Sequence, residues 1–345
     1  MSEDVYWKKY TERFKTFSPL TEDEQVMEPN LIICIPVCAE PDLLMTLTSL
    51  LKCHPVDISI AVILLFNINA FMSGDEIALH NEMCSRYNDW YLKNKNHWIS
   101  FFGIFVQEMP DAKGGVGWAR KLAMDEAARR LGPDGIIVCL DGDCVVDTNY
   151  LEEIEKNFRI HSNFDAASIY FEHPYNNNDS DEKNAIIQYE LHLRYLVHAQ
   201  RWCKHPFAFQ TVGSSMAVRR NAYLSQGGMN TKMAGEDFYF LQKFIETGRL
   251  FEIKSTTVYP STRISNRVPF GTGKAMSQIK NGKQWMTTNF EIFRKIKPLF
   301  ESIDQLQTFV LERKSEDVLH HLDGAGQELI SYLSKIKFVE EMQSI

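Results

Sequence analysis

The sequence predicts an α/β protein with a doubly wound, mostly parallel sheet flanked by helices. Two observations carry that expectation. Apolar, β-branched runs alternate with helical stretches from Leu31 to Asp141. The runs are continuous rather than alternating in polarity, as strands buried on both faces are. Such alternation implies βαβ units with parallel neighbours.

The elements follow in order. Residues 1–28 read as a polar, partly helical lead-in. LIICIPV (Leu31 to Val37) is the first strand, ending at Ala39-Glu40-Pro41, and Leu43 to Leu51 is a helix. ISIAVILLF (Ile58 to Phe66) is the second strand, followed by a long helix from Asp75 to Leu92. WISFFGIFV (Trp98 to Val106) is the third strand. The Ala- and Arg-rich stretch Val116 to Leu131 is helical and stops at Gly132-Pro133, as helices do before such a pair. GIIVCLD (Gly135 to Asp141) is the fourth strand. Beyond Asp143 the pattern loosens: a strand over Ala166 to His173, a polar loop from Asn176 to Asn184, a helix from Ala185 to Arg201, and a strand turning into a helix over Thr211 to Arg220. The tail repeats apolar residues at helical spacing (Phe290, Phe293, Ile296, Phe300), which predicts a C-terminal helical extension.

Composition narrows the function classes. The chain has 345 residues and a formal net charge of −8, which argues against a broad nucleic-acid surface, since phosphate backbones are held by clustered Lys and Arg. The seven cysteines show neither zinc-site spacing nor a disulfide framework, so they read as reduced, packed thiols. No apolar run approaches membrane-spanning length and the N-terminus lacks a signal-peptide core, so a cytoplasmic location is expected.

Four stretches carry chemistry. Asp141-Gly142-Asp143 follows an apolar strand directly; two carboxylates one residue apart can share a hard cation with diphosphate oxygens, and Gly142 lets the backbone turn between them. Solvated acids in an ordinary turn are the plainer reading. Glu236-Asp237 opens a helix after the small-residue loop Gly227 to Ala234; helix-dipole complementarity explains one acid, and a positioned carboxylate there can act as general base. DAKGGVGWARK (Asp111 to Lys121) brings glycines to a helix start that bears Arg120 and Lys121, where free amides can face an anion. RISNRVPFGTGKAM (Arg263 to Met276) has two arginines in a Gly/Pro loop that could clamp a diphosphate. It is not a Walker motif, because Val268 replaces the first glycine and Ala275 the Ser/Thr.

Taken in order, IPVCAEPD, KGGVGWARKLAMDEA, LDGDC, GSSMAVRRNAY and GGMNTKMAGEDFYFLQK resemble family 2 glycosyltransferases with the GT-A fold, over roughly residues 30–285. The resemblance implies a nucleotide-diphosphate-sugar donor held by Pro36, Val37, Ala39 and Glu40 after the first strand. Asn67 and Asn69 stand where the family places a base-reading acid. Contacts from Lys113, Gly117 and Arg120 are implied, with Asp141 and Gly142 near the ribose and Asp143 on Mn²⁺ or Mg²⁺. Asp237 is the implied catalytic base, with Glu236 expected as a second catalytic residue, and Arg263 and Arg267 match a looser diphosphate-binding pattern. The family's QxxRW ending is not cleanly present, Gln284-Trp285 being nearest.

The resulting expectation is an inverting, metal-dependent transferase acting on a glycan or lipid-linked acceptor, without nucleic acid and with a possible peripheral membrane contact. The domains expected are a lead-in (1–28), a GT-A domain (29–285, with a nucleotide-binding half over 29–147 and an acceptor half over 148–285) and a C-terminal helical extension (286–345). A sugar-nucleotidyltransferase is the first alternative, although the loop after the first strand is acidic where a triphosphate needs cations. A non-catalytic sugar-nucleotide-binding protein is the second.

Overall fold

Four of the apolar runs form β1 (Leu31–Val37), β2 (Ile60–Asn67), β3 (Ile99–Val106) and β4 (Ile136–Cys139). The computed structural model describes residues 4–14, 16–17, 29–106, 115–175, 179–232, 234–264, 271–304, 306, 308 and 326–338. Lys113 and Arg267 lie outside the described residues, as do 18–28 of the lead-in and 107–112 of the glycine-bearing approach to the helix. β1 pairs in parallel with both β2 and β4, and β2 with β3. One register row sets Ile33 beside Val62 and Val138, all without solvent exposure, which is why these strands read as unbroken apolar runs.

The sheet has eight strands in the order β3-β2-β1-β4-β7-β6-β8-β5. Its second half comprises β5 (Val145–Val146), β6 (Ala166–Phe171), β7 (Met216–Arg219) and β8 (Leu250–Tyr259). β7 runs antiparallel to both β4 and β6, while β8 is parallel to β6 and antiparallel to β5. The sheet is therefore mixed, with a parallel half that carries the first strands. The sequence reading did not anticipate β8: LFEIKSTTVY interleaves Glu, Lys, Ser and Thr, because part of the strand faces solvent and needs no continuous apolar run.

Helices α2 (Leu43–Leu51), α3 (Gly74–Asn94), α4 (Val116–Arg130), α5 (Tyr150–Ile160), α7 (Arg220–Ser225) and α8 (Glu236–Glu246) flank the sheet, while α6 (Ser180–Trp202) follows β6 and α9 (Thr272–Lys280) follows β8 in the chain. α3 opens with a capping box between Ser73 and Glu76, which satisfies two of its otherwise unpaired N–H groups. α9 occupies residues expected to be loop, with Thr272 beginning a helix. Before β1, the helix Val5–Arg13, here α1, is fixed by buried polar chemistry. Its Tyr10 hydroxyl donates to Asp125 (2.7 Å), as does Tyr223 (2.6 Å), and Lys121 Nζ donates to the Tyr10 hydroxyl (2.6 Å) and to Asp125 (2.9 Å). Burial, then the Asp125 charge, pushes both phenols up, so they remain neutral donors.

The chain divides into two compact units, Met1–Ile186 with Thr211–Lys280, and Ile187–Gln210 with Asn281–Ile345. The first holds the whole sheet. In the second, Ala199, Cys203 and Phe293 form a small core covered by Tyr195, Leu196, Ile296 and Phe300. Three of the four apolar tail residues thus pack inward from the helix Phe290–Glu301, whereas Phe290 stays half exposed. All seven cysteines are free thiols. Among the described residues, no helix is long and apolar enough to cross a membrane.

Candidate active site

The parallel strands β1, β2 and β4 end at one edge of the sheet, and the polar residues that follow them gather there, as ligand-binding residues do in open α/β sheets. After β1, Pro36 and Val37 lead to Ala39, which adopts a left-handed conformation (φ 48°) unusual for a residue with a Cβ. Its N–H donates to His80 Nδ1 (3.3 Å) on α3. Burial lowers the His80 pKa and keeps the ring neutral, as that acceptor role requires. Glu40 is buried and ion-paired with Arg263, which also lies 3.8 Å from Asp42.

At the end of β2, Asn67 is 4% exposed and its Oδ1 has no hydrogen-bond partner among the described residues. A buried amide oxygen left unpaired costs free energy unless something fills the role, so it marks a place for a donor group. Asn69 instead caps its own turn, accepting the Phe71 N–H at 2.9 Å.

The turn after β4 presents Asp141 and Asp143 on either side of buried Gly142. Two contacts hold it: Thr46 Oγ1 donates to the Gly142 carbonyl (2.9 Å), and the Glu40 side chain lies where a Gly142 Cβ would come within 3.1 Å of it. Cys144 Sγ lies 3.6 Å from Asp143 Oδ1.

Arg120 joins this turn to the later acidic motif. Its guanidinium, almost entirely buried, reaches Asp141 Oδ1 at 2.5 Å with Nη2 and Glu236 Oε1 with Nη1. Burial opposes the charge, but Asp141, Glu236 and Asp237 outweigh it and raise the Arg120 pKa. Gly213 makes room: a Cβ there would fall 2.4–2.6 Å from the guanidinium atoms. Gly117, one turn earlier on α4, has a similar role, since its Cβ would strike the Lys232 carbonyl at 2.3 Å.

Glu236 and Asp237 open α8 after Gly235, whose left-handed φ of 73° suits a glycine. Glu236 is buried, and burial raises its pKa against the pull of Arg120. Asp237 is raised too, by burial first, while Arg120 and the N–H groups of Phe238 and Gly213 hold it down. The Phe238 N–H meets Asp237 Oδ1 at 2.8 Å.

The structure therefore brings Glu40, Arg263, Gly142, Asp141, Arg120, Glu236 and Asp237 into one chain of contacts, within the first unit. Sequence reasoning missed Gly213 and His80. Gly213 sits in the quoted GSSMAVRR stretch, where a glycine before two serines was the available signal; a lone histidine inside α3 gave none.

With that geometry in view, kinship can be weighed. The family model described as "Glycosyl transferase family group 2" matches residues 136–311, more than half of the chain. The chain belongs to this family. It is a glycosyltransferase, and its mixed sheet with flanking helices is a GT-A-type fold. The matched stretch begins with β4 and takes in the Asp141–Asp143 turn and the Glu236–Asp237 helix start of the family 2 domain. Among solved structures, S. aureus TarS 1-349 in complex with UDP-GlcNAc is similar at a TM-score of 0.47 and 13% identity, over 92% of this chain and 88% of that one. The same TarS fragment in complex with UDP gives 0.45 and 13% over the same shares. S. aureus TarS itself gives 0.45 and 9%, over 92% of this chain and 54% of that one. Among curated proteins, none matches the chain.

Proposed function

We propose that the chain is an inverting, metal-dependent glycosyltransferase in which Asp237 is the general base and the Asp141–Asp143 turn receives the donor's diphosphate. One observation carries the reading: a single buried guanidinium, that of Arg120, contacts both the β4 turn and the start of α8. Residues 141 and 236, far apart in sequence, are thereby brought together at the carboxyl edge of the sheet.

The donor's base would lie over the end of β2, where the unpartnered Asn67 oxygen can accept a base-edge N–H and its amide can donate. Arg263 is available to the diphosphate once it leaves Glu40, which would remain as its resting partner. For the cation, Asp143 supplies a hard oxygen ligand beside Asp141. Among the described residues no cluster of three or more His, Cys, Asp or Glu could enclose an ion. That donor set fits Mg²⁺ or Mn²⁺, which keep several waters and take diphosphate oxygens as ligands. When bound, such an ion supplies positive charge to the leaving diphosphate.

The rest is the work of side chains. Asp237 takes the proton of the acceptor hydroxyl as its oxygen bonds to the anomeric carbon. The bond from that carbon to the diphosphate breaks on the opposite face, which inverts the anomeric configuration. Burial gives Asp237 a higher proton affinity than a free aspartate, which suits a base, while Arg120 and two backbone N–H groups fix its orientation. Glu236, buried and paired with Arg120, positions that cation rather than meeting substrate.

Nuclear magnetic resonance of the product, formed from a panel of nucleotide-diphosphate sugars with Mn²⁺, tests this reading. An anomeric centre opposite to the donor's is expected, and none should form with Asp237→Asn. Retained configuration, or full turnover by that variant, would overturn it.

A further inference from the structure

We propose that a cavity against the loop leading to Asp237 is a subsite for an acceptor carbohydrate bearing a negatively charged group, an inference that rests on the transferase reading above. The cavity has a volume of about 420 Å³, within the range of small-molecule sites. Phe14, Trp118, Lys121, Asn230, Thr231 and Lys232 contribute to its lining.

Its chemistry is mixed in the way a sugar needs. The rings of Phe14 and Trp118 offer apolar faces to the C–H side of a pyranose, and Asn230 and Thr231 offer donors and acceptors to its hydroxyls. Charge then narrows the ligand. Among the described residues the wall holds two lysines and no acid, in a chain whose formal net charge is −8. Lys121 spends two of its three N–H bonds on the Tyr10 hydroxyl and Asp125. Lys232 extends over the Tyr239 ring, 3.3 Å from its centroid. Beneath the same loop, Lys243 donates to the carbonyls of Gln226 (2.9 Å) and Gly228 (3.2 Å). Burial is the main cause of the lowered Lys243 pKa, and the charge of the nearby Lys121 adds to it. A carboxylate or a phosphate ester on the sugar answers the charges of Lys121 and Lys232; a cationic or purely neutral glycan does not.

The cavity is also built rather than incidental. Gly227 and Gly228 both have left-handed φ, and a Cβ at either would strike Phe14 or Tyr10, so α1 can close against the loop only because these residues are glycines. α1 is in turn pinned by the Tyr10–Asp125–Tyr223 hydrogen bonds and by the ion pair between Asp4 and Arg220. On its other side the loop reaches the catalytic motif: Asn230 Nδ2 donates to the Glu236 carbonyl (3.3 Å), and the Lys232 carbonyl packs on Gly117. An acceptor seated in the cavity therefore lies against the segment that delivers Asp237.

Ligand-observed nuclear magnetic resonance titrations of the full chain with glucuronic acid, glucose 6-phosphate and glucose test this, each with and without UDP. At least one anionic probe should bind about tenfold tighter than glucose, with or without UDP, and whichever does identifies the anion as carboxylate or phosphate ester. Lys232→Glu should remove that preference, and Lys232→Gln, a milder change at an exposed position, should reduce it. Trp118→Leu should weaken all three probes. Equal affinities for the charged and neutral sugars, displacement of the anions by UDP, or unchanged binding in both Lys232 variants would overturn the proposal. Release of nucleoside diphosphate from sugar nucleotides, measured separately, keeps the two readings apart. Release without probe binding sinks the subsite alone, and probe binding without release or transfer sinks the transferase mechanism alone.

Discussion

Arg120→Met should be among the most damaging single substitutions in the chain. The guanidinium is 3% exposed and contacts two carboxylates, Asp141 and Glu236, with Asp237 adding its charge. Methionine approximates the volume of the arginine stem and leaves those acids without a cation. Removing one partner from a buried pair costs about 3–5 kcal/mol, because the remaining charge is neither solvated nor matched. Against a total stability of about 5–15 kcal/mol, that loss lowers the urea midpoint by a large fraction. Two controls give the argument its sign. Glu236→Leu in the Arg120→Met background should restore part of the loss, since a pair replaced by apolar groups is far less costly than a half-pair. The deficit should also shrink from pH 8 to pH 5, because Glu236 and Asp237 already have raised pKa values and shed their charge more readily without Arg120. A loss below about 1 kcal/mol, the size of a surface ion pair, would refute the reasoning.

Gly213→Ala should act on the same guanidinium from the opposite side: its Cβ would fall 2.4–2.6 Å from those atoms, and overpacking of this kind costs about 1–3 kcal/mol in a melt. Asp237→Asn should abolish transfer while calorimetry finds donor affinity within about twofold of wild type, as expected for a group that acts on the acceptor's proton. In pH profiles, kcat/KM should fall on the acidic side around a pKa above the ordinary 3.8, because burial raises the folded Asp237 value. The linked stability has the same origin: with both folded values raised, the contribution of Glu236 and Asp237 is complete below their ordinary 4.5 and 3.8 and is lost as pH rises through the folded values, so Glu236→Gln should flatten that slope. Asp143→Ala should weaken donor binding in Mn²⁺ and leave it unchanged in EDTA, by calorimetry in both buffers.

The parallel half of the sheet was legible because burial on both faces leaves no choice but continuous apolar residues, as at Leu31–Cys34 and Ile60–Phe66. β8 was not, since a strand with a partly solvated surface can carry Glu252, Lys254 and Ser255. Candidate acids were readable from strand ends and a helix start, which are local signals. Their association was not, because it depends on Arg120 crossing from α4, on Gly213 leaving space, and on burial that no residue spacing encodes. Arg120 illustrates the difference. In sequence it is a candidate donor ligand at a glycine-led helix start; the fold adds that its Nη1 and Nη2 contact Glu236 and Asp141. For Arg263, expected to hold a diphosphate, the fold adds an ion pair with Glu40 that the sequence did not show. The lead-in helix is a third instance: polar in sequence, it buries Tyr10 completely, with hydrogen bonds to Asp125 and Lys121 of α4.

The central claim is that the β4 turn and the start of α8 form one reaction centre. A double-mutant cycle on kcat/KM with Asp143→Asn and Asp237→Glu, each slowed but still measurable, tests it most directly. Groups that act as a unit lose their effect together, so the double variant should be about as slow as the slower single variant. Losses that multiply, as they would for two sites working separately, would contradict it.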